Sequence, residues 1–388
     1  MSAPAAPRAF TLQVSDAQIA ELNNRLARTR LPDQTPGEPW AFGTDLGWLA
    51  GLLEHWRERF DWRAQEAALN AFPQFKVALA GIDLHYLHVQ GEGQSPTPLL
   101  LSHGWPGSVF EFLELIPRLT HPSRFGGDPA DAFTVVAPSL PGFGLSFAPN
   151  QPRFSVEQMA ECFVELMDQV LGYKRFAAQG GDWGAFITSR IGYAHPDKVL
   201  GIHLNFMPLR RDPSIAPEPS PQESRYLDEL ATFLREETGY QAIQGTRPQT
   251  LAYALTDSPA GLAAWIGEKF QRWTDNHGTP ESAVDRDRML ANIALYWFTG
   301  AIGSSFWPYY ARLHGPWPVP AGQSVAVPTG YCESPREILR PPRSLAARAY
   351  SDIRRWTVFA RGGHFAAMEQ PEALAQEIRE FFRPLTGR

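Results

Sequence analysis

The stretch AAQGGDWGA, residues 177–185, constrains the fold of this chain more than any other. Its centre, Gly-Gly-Asp-Trp-Gly, has the spacing Gly-x-Ser-x-Gly, with Asp182 at the serine position. That spacing is typical of a sharp turn from a buried strand into a helix, which exposes the central side chain at the end of a parallel sheet. Taken alone, it also fits a glycine-rich turn whose aspartate caps the next helix. The neighbouring segments decide between these interpretations.

Strands and helices are predicted to alternate around this turn. Apolar runs predict strands at residues 98–104, 133–140 and 199–206, and a hairpin at 76–89. Helical periodicity covers residues 155–171 and 184–194. Such alternation favours a mainly parallel sheet flanked by helices. Together with the turn, it predicts an α/β-hydrolase core.

Two regions depart from the alternation. Before the first strand, amphipathic helices are predicted, the first of them after a capping box at Ser15. After Phe206 the chain holds proline-rich loops and predicted helices at residues 221–237, 261–273 and 285–299. Strands then resume at 324–331 and 355–363, followed by a helix at 371–382. The predicted domains are a helical N-terminal extension (1–75), the first part of the core (76–207), a helical lid (208–320) and the second part of the core (321–388).

Composition excludes several classes of function. The chain has 388 residues, a net charge of −6 and no basic run, which argues against a nucleic-acid partner. Its two cysteines, Cys162 and Cys332, suggest neither a disulfide framework nor a zinc site and fit a reducing, cytoplasmic location. No segment is expected to be a signal peptide or a membrane anchor. The sequence requires no cofactor and leaves open whether the chain forms a homo-oligomer.

Further motifs follow predicted strands at the same end of the sheet. The segment His-Gly-Trp-Pro begins at His103, where this fold carries a loop whose backbone N–H, here that of Trp105, stabilises an oxyanion. The second such N–H belongs to the residue after the nucleophile, Trp183. His103 itself fits loop bracing as well as catalysis. His364 follows the last strand, the position of the histidine in this fold.

An aspartate nucleophile indicates the reaction type. A serine attacking a saturated carbon would leave a stable ether, whereas an aspartate leaves an ester whose carbonyl is open to water. With an ordinary pKa near ~3.9, Asp182 is already ionised at neutral pH, so His364 is available as the base for that water. The expected substrate is an epoxide or an alkyl halide. From spacing, the acid that orients His364 is either Glu333 or Glu337.

At this point the motifs resemble those of a known family. HGWPGS, PSLPGFGLS, GGDWG, PTGY…PREIL and RGGHFAAMEQPE, with the helical N-terminal region, are similar to the epoxide hydrolases of microsomal and juvenile-hormone type over essentially the whole chain. The resemblance implies that Asp182 is the nucleophile, His364 the base and Glu337 its acidic partner, and that Trp105 and Trp183 are the oxyanion donors. Microsomal members also carry an N-terminal membrane helix; none is expected from this sequence, so the resemblance does not imply membrane association.

The resemblance also implies two lid tyrosines that hydrogen-bond the epoxide oxygen. By motif these are Tyr240 in EETGYQAIQ and Tyr309 in SSFWPYY, with Tyr310 as an alternative to Tyr309. The expected substrate is thus a small hydrophobic epoxide, with water as co-substrate. A haloalkane dehalogenase shares the nucleophile and base and remains the alternative, because indole N–H groups of the twelve tryptophans could bind a halide. A non-catalytic, ligand-binding homologue is the third hypothesis.

Overall fold

The computed structural model describes residues 6–211, 215–216 and 218–387. Within these ranges the strands β1 to β9 are Arg8–Phe10, Gln74–Leu79, Ile82–Val89, Thr97–Ser102, Phe133–Pro138, Phe176–Gly180, Val199–Leu204, Thr329–Glu333 and Ile353–Val358. The helices α1 to α8 are Asp16–Ala27, Leu46–Glu58, Trp62–Asn70, Leu115–Thr120, Val156–Glu165, Asp182–Ala194, Pro221–Glu236 and Gly239–Thr246. The helices α9 to α16 are Pro248–Asp257, Pro259–Trp273, Arg286–Thr299, Ile302–Ser305, Trp307–His314, Arg343–Ala346, Ala366–Glu369 and Pro371–Phe382.

One sheet organises the molecule, in the order β1-β2-β3-β5-β4-β6-β7-β8-β9. Pairings from β5 through β9 are parallel, whereas β1, β2 and β3 add antiparallel strands at one edge. The central strands β4, β5 and β6 are buried along almost their whole length because helices cover both faces. This arrangement is the predicted α/β-hydrolase core, and its parallel strands all end at the same edge.

The chain leaves this core once, between β7 and β8, to form helices α7 to α13, which we call the helical insertion. Prolines at the first turns of α7, α9, α10 and α13 begin separate helices, because proline fits the start of a helix and blocks its interior. The sequence predicted helices at 221–237, 261–273 and 285–299, and the structure has α7, α10 and α11 there. In its described part the insertion contains no strand.

The N-terminal helices pack on the insertion. Ser15 closes the predicted capping box with Gln18 at the start of α1. Further along, the Thr44 hydroxyl donates to the carbonyl of Ala264 at 2.8 Å, and His55 Nε2 contacts Asp287 Oδ1 at 2.6 Å. Side-chain contacts therefore tie the extension to the insertion. No helix of the described ranges is both long and apolar enough to cross a bilayer.

Two local predictions differ from the structure. The strand expected at residues 324–331 begins only at Thr329, because Pro328 has no N–H to donate to a sheet; upstream, Val325 forms an isolated bridge with Tyr350. The sequence also gave no signal for β1, which pairs with β2 through just three residues. Neither difference moves the strand ends that carry the candidate site.

Candidate active site

The strand-to-helix turn forms as the motif predicts. Strand β6 ends at Gly180 and α6 begins at Asp182, whose φ of 47° lies in the left-handed region. A non-glycine residue there costs on the order of 1–3 kcal/mol, which the surrounding packing must offset. A Cβ on Gly180 would overlap the carbonyl of Gly184, and a Cβ on Gly184 would overlap the carbonyl of Ser102. Glycine at both positions lets α6 pack close enough to the strands to hold Asp182 in this conformation.

The loop after β4 lies against the Asp182 carboxylate. The Trp105 N–H donates to Asp182 Oδ1 at 2.7 Å. A side chain on Gly104 would overlap the same carboxylate, so the loop approaches it through bare backbone. Trp183 lies in the first turn of α6, where N–H groups have no acceptor within the helix. The two predicted oxyanion donors therefore flank Asp182.

His103, left open by the sequence, braces this loop. It is buried, and burial lowers its pKa to about 4, so the ring is neutral. Its Nε2 accepts the N–H of Leu140 at 3.2 Å, which leaves the proton on Nδ1 to bind the carbonyl of Gly104 at 3.0 Å. Both ring nitrogens are thus engaged in holding the backbone.

His364 joins the Asp182 carboxylate to a second, buried carboxylate. Its Nδ1 contacts Glu337 Oε1 at 2.6 Å, and its Nε2 lies 3.5 Å from Asp182 Oδ2. The Glu337 side chain is fully buried, and the N–H of Ile338 also donates to Oε1. Of the two acids the sequence left open, the structure places Glu337 against His364, whereas Glu333 remains at the end of β8, beside β9.

Charge, not burial, sets the protonation of His364. Burial by itself would lower the pKa of the imidazole, but the Glu337 and Asp182 carboxylates together hold it well above its usual 6.5. A histidinium between two carboxylates is therefore the favoured state when Asp182 is ionised. Neutralising Asp182 would remove one of the two charges and lower the pKa again.

Tyr240 and Tyr309 lie together on the insertion side of the site. Their rings are 5.8 Å apart; Tyr240 stacks on Trp105 at 5.5 Å, and Tyr309 meets Trp183 edge-on at 4.8 Å. Burial raises the pKa of both phenols above the usual value of 10, so both remain protonated at neutral pH. Tyr310, by contrast, stacks on Trp307 and is not among the residues that line the cavity at Asp182.

A hydrogen-bond chain fixes the direction of the Tyr240 hydroxyl. Arg211 Nη1 donates to Gln241 Oε1 at 3.0 Å, which orients the amide because a guanidinium can only donate. Gln241 Nε2 then donates to Tyr240 Oη at 2.8 Å. The phenolic proton is therefore free to point elsewhere. Sequence reasoning missed this chain, although Gln241 directly follows Tyr240.

A cavity of about 420 Å³ connects these groups. Asp182 and Trp183 contribute to its wall from the sheet side, and Tyr240 and Tyr309 from the insertion. Aromatic and aliphatic side chains make up much of the remaining lining. A carboxylate and two protonated hydroxyls thus share one largely apolar chamber, the type of site that takes a small apolar ligand with a polar centre.

The sheet, the strained turn and the strand-end loops define the class of the protein as an α/β hydrolase. Family models agree, since residues 7–112 match "Epoxide hydrolase N terminus" and residues 97–244 match "alpha/beta hydrolase fold". The chain is 36% identical to epoxide hydrolase 1 of Oryctolagus cuniculus over 401 residues, which covers 96% of this chain and 88% of that protein. It therefore belongs to the epoxide hydrolase family.

Solved structures agree with this assignment. Juvenile hormone epoxide hydrolase from the silkworm Bombyx mori superposes with a TM-score of 0.87 at 31% identity, over 99% of this chain and 95% of that chain. The epoxide hydrolase of Aspergillus niger superposes with a TM-score of 0.85 at 29% identity, over 99% of this chain and 98% of that chain. The similarity extends over the N-terminal extension, the core and the insertion alike.

Proposed function

We propose that the protein converts small hydrophobic epoxides to vicinal diols through a covalent ester on Asp182. The observation that carries the proposal is that a carboxylate and two proton donors face each other across one cavity. The Asp182 carboxylate enters it from the sheet, and Tyr240 and Tyr309, both protonated, enter it from the insertion. Opening an epoxide requires a nucleophile on carbon and a proton donor at oxygen, and these groups supply both.

In the first half-reaction, one Asp182 oxygen attacks an epoxide carbon and the C–O bond of the ring breaks. Negative charge develops on the leaving oxygen, where Tyr240 and Tyr309 donate hydrogen bonds and one proton is transferred. Gln241 occupies a lone pair of Tyr240 and leaves its proton for the substrate. The helical insertion thus acts as the lid over the site.

In the second half-reaction, water attacks the carbonyl carbon of the Asp182 ester. Esterification removes the negative charge of Asp182, so the pKa of His364 falls and the ring can act as a base. His364 takes a proton from the water, Glu337 stabilises the histidinium, and the N–H groups of Trp105 and Trp183 hold the oxyanion. On collapse the histidinium protonates the leaving diol oxygen, and the proton of the new Asp182 carboxyl returns to the tyrosinate, so the diol is released and the Asp182 carboxylate, neutral His364 and the tyrosine hydroxyl are restored.

A product assay tests the reaction class. The purified protein is incubated separately with styrene oxide and with 1-chlorobutane, and diol and chloride are measured. Diol without chloride is expected; chloride release would favour the dehalogenase alternative, and neither product would favour a non-catalytic homologue. A single turnover in heavy-oxygen water should place the label in Asp182, whereas label confined to the diol would indicate direct attack by water.

The proposal also places the protein in a reducing, cytoplasmic compartment. Cys162 and Cys332 are both buried as free thiols. Oxidising compartments favour paired cysteines, so unpaired thiols fit a reducing one better.

A further inference from the structure

Three arginines line the same cavity as Asp182: Arg210, Arg211 and Arg312. Among the described residues, none of the three forms an ion pair. The Glu157 carboxylate raises the pKa of Arg312 through its charge but does not pair with it. Burial lowers the pKa of Arg312, and the neighbouring charges of Arg210 and Arg211 lower it further. Like charges in a partly desolvated site repel one another, and an anion placed among them would be stabilised.

An aromatic wall leads from the nucleophile to these arginines. The rings of Trp183 and Phe186 are 5.1 Å apart, and those of Phe186 and Trp317 are 5.5 Å apart. Arg312 lies 4.4 Å from the centre of the Trp317 ring and Arg210 lies 5.5 Å from it. Arg312 Nε is buried and has no hydrogen-bond partner within the described ranges, although one terminal nitrogen reaches the carbonyl of Gly315.

We propose that this arginine cluster binds the carboxylate of an epoxide substrate whose alkyl chain lies along the aromatic wall. The inference rests on the proposed function and names its substrate class, epoxides of carboxylic acids. Guanidinium groups match a carboxylate in geometry as well as in charge. A neutral epoxide would fill the apolar part of the cavity and leave the cluster unused.

A matched pair of substrates tests the subsite. A homologous series of ω-carboxylate terminal epoxides is compared with the corresponding methyl esters, and kcat/KM is measured for each. The parent enzyme should prefer the acid of the best-fitting length. Arg312→Met should reduce kcat/KM for that acid about tenfold or more and leave the ester unchanged. Arg247→Met is the control, because Arg247 is exposed and lies outside the cavity lining.

Equal turnover of acid and ester by the parent would overturn the subsite, as would an equal loss on both substrates in Arg312→Met. Arg210→Met provides a second variant should Arg312→Met fold poorly, and the same selective loss is expected. Styrene oxide has no carboxylate and reports on the proposed function separately. If the protein opens neither styrene oxide nor any epoxide of the series, the proposed function fails; if it opens these epoxides but does not prefer the acids, only the subsite fails.

A second inference comes from a different cavity. On the sheet side, a cavity of about 20 Å³ is lined by Glu111, Asp182 and His364 among others, which is room for one water molecule. A Cβ on Gly107 would overlap Glu111 Oε1, so the missing side chain of Gly107 makes the space that the carboxyl occupies. Burial raises the pKa of Glu111 to about 8, against smaller opposing effects of His364 and the Ser108 backbone.

We infer that Glu111 positions the hydrolytic water for attack on the Asp182 ester. One hydrogen of that water goes to His364, and the Glu111 carboxyl accepts a hydrogen bond from the other. A carboxyl that is mostly protonated at neutral pH adds no repulsion to the oxyanion that forms at Asp182. Glu111 is therefore a positioning residue, and the inference rests on the two-step reaction proposed above.

Separating the two half-reactions tests this role. Formation and decay of the ester are followed by rapid quench and intact-protein mass spectrometry. Glu111→Leu and Glu111→Ala should slow decay by about 10²-fold and leave formation unchanged, so that the ester accumulates. Glu111→Gln keeps an accepting oxygen and should decay at close to the parent rate. The control is Glu114→Gln, since Glu114 is exposed and ion-paired with Arg118.

Decay at the parent rate in the leucine or alanine variant would overturn the role. So would an equal fall in formation and decay, since that would indicate general damage to the site. A glutamine variant as slow as the leucine variant would also count against a positioning oxygen. The proposed function stands or falls separately, on whether the parent enzyme forms an ester at Asp182 at all.

Discussion

The two sides of the candidate active-site cavity hold their proposed catalytic groups in different ways. On the sheet side, Asp182, Glu337 and His364 lie at or just after strand ends, and Asp182 has a backbone conformation that only dense packing can maintain. On the insertion side, Tyr240 and Tyr309 lie within helices and pack as aromatic rings among Trp105 and Trp183. Their hydroxyls are the only atoms that distinguish them from ordinary packing residues.

This difference predicts different responses to substitution. Loss of Asp182 or His364 on the sheet side removes the group that attacks carbon or the group that accepts the proton of water, so it should nearly stop one chemical step. Removing a hydroxyl on the insertion side leaves the packing intact and weakens one of two shared hydrogen bonds, so it should slow a step without abolishing it. The predictions below test that contrast, from the largest expected effect to the smallest.

The largest effect should follow loss of the nucleophile. Asp182→Asn removes the attacking charge, and we expect kcat/KM for styrene oxide to fall on the order of 10⁵-fold, comparable to loss of a nucleophile in other hydrolases. Asp197→Asn, an exposed aspartate after the same helix, should have no effect. Mass spectrometry checks that the asparagine has not deamidated to aspartate. Substantial diol production by a folded Asp182→Asn protein that has not deamidated would contradict the role of Asp182 as nucleophile.

Loss of the base should separate the two half-reactions. His364→Gln leaves Asp182 ionised, so the ester should form, but its hydrolysis should slow by about 10⁴-fold because no group takes the proton of the water. Intact-protein mass spectrometry should then find a stable adduct equal in mass to the epoxide. If the His364→Gln protein stays unmodified after incubation with epoxide, ester formation also needs His364, and its role is not confined to the second half-reaction.

On the insertion side, we expect Tyr240→Phe and Tyr309→Phe each to slow ester formation by about 10²-fold or less, because the remaining hydroxyl partly replaces the lost one. The double variant should be nearly inactive, and neither variant should accumulate ester. Tyr310→Phe should behave like the parent, since Tyr310 lies outside the cavity lining. A folded double variant that opened epoxides at close to the parent rate would undermine the role of both tyrosines.

The same contrast explains what the sequence could predict. The turn at Asp182, the position of His364 and the parallel core follow from local patterns, because glycine spacing and strand ends leave few arrangements possible. The strand ends also limited the acid to Glu333 or Glu337, but choosing between two loop residues needs the path of the loop. The structure places Glu337 at His364 through a contact across 27 residues of chain.

Local sequence patterns predicted far less about the functional residues of the helical insertion. Residue patterns alone do not distinguish Tyr240 or Tyr309 from the other tyrosines of the helical insertion, since each of these positions fits ordinary packing on an amphipathic helix. Their identification came from family motifs, and their meeting at one cavity came from the packing of α8 against α13. Glu111 and the three arginines gave no signal, because only tertiary structure brings them to the cavities at Asp182.

The smallest effect should come from the acid that orients the base, and it tests the choice the sequence left open. Glu337 raises the pKa of His364 through its charge, so Glu337→Gln should lower that pKa. In the proposed reaction His364 acts in its neutral form, and a lower pKa means that the neutral form is reached at a lower pH. The pH profile of ester hydrolysis should therefore move toward acid in Glu337→Gln.

The plateau of that profile should fall at the same time. A less basic imidazole is a weaker proton acceptor, and glutamine cannot stabilise the histidinium by charge, so we expect hydrolysis at the plateau to slow about 10- to 100-fold. Glu333→Gln, four residues earlier, should leave both the pH midpoint and the plateau unchanged. Single-turnover decay of the ester between pH 5 and 9 measures both quantities for both variants. If the pH midpoint shifted in Glu333→Gln and not in Glu337→Gln, Glu333 would be the acid that orients His364. The sheet side would then be less rigidly organised than the contact between Glu337 and His364 indicates.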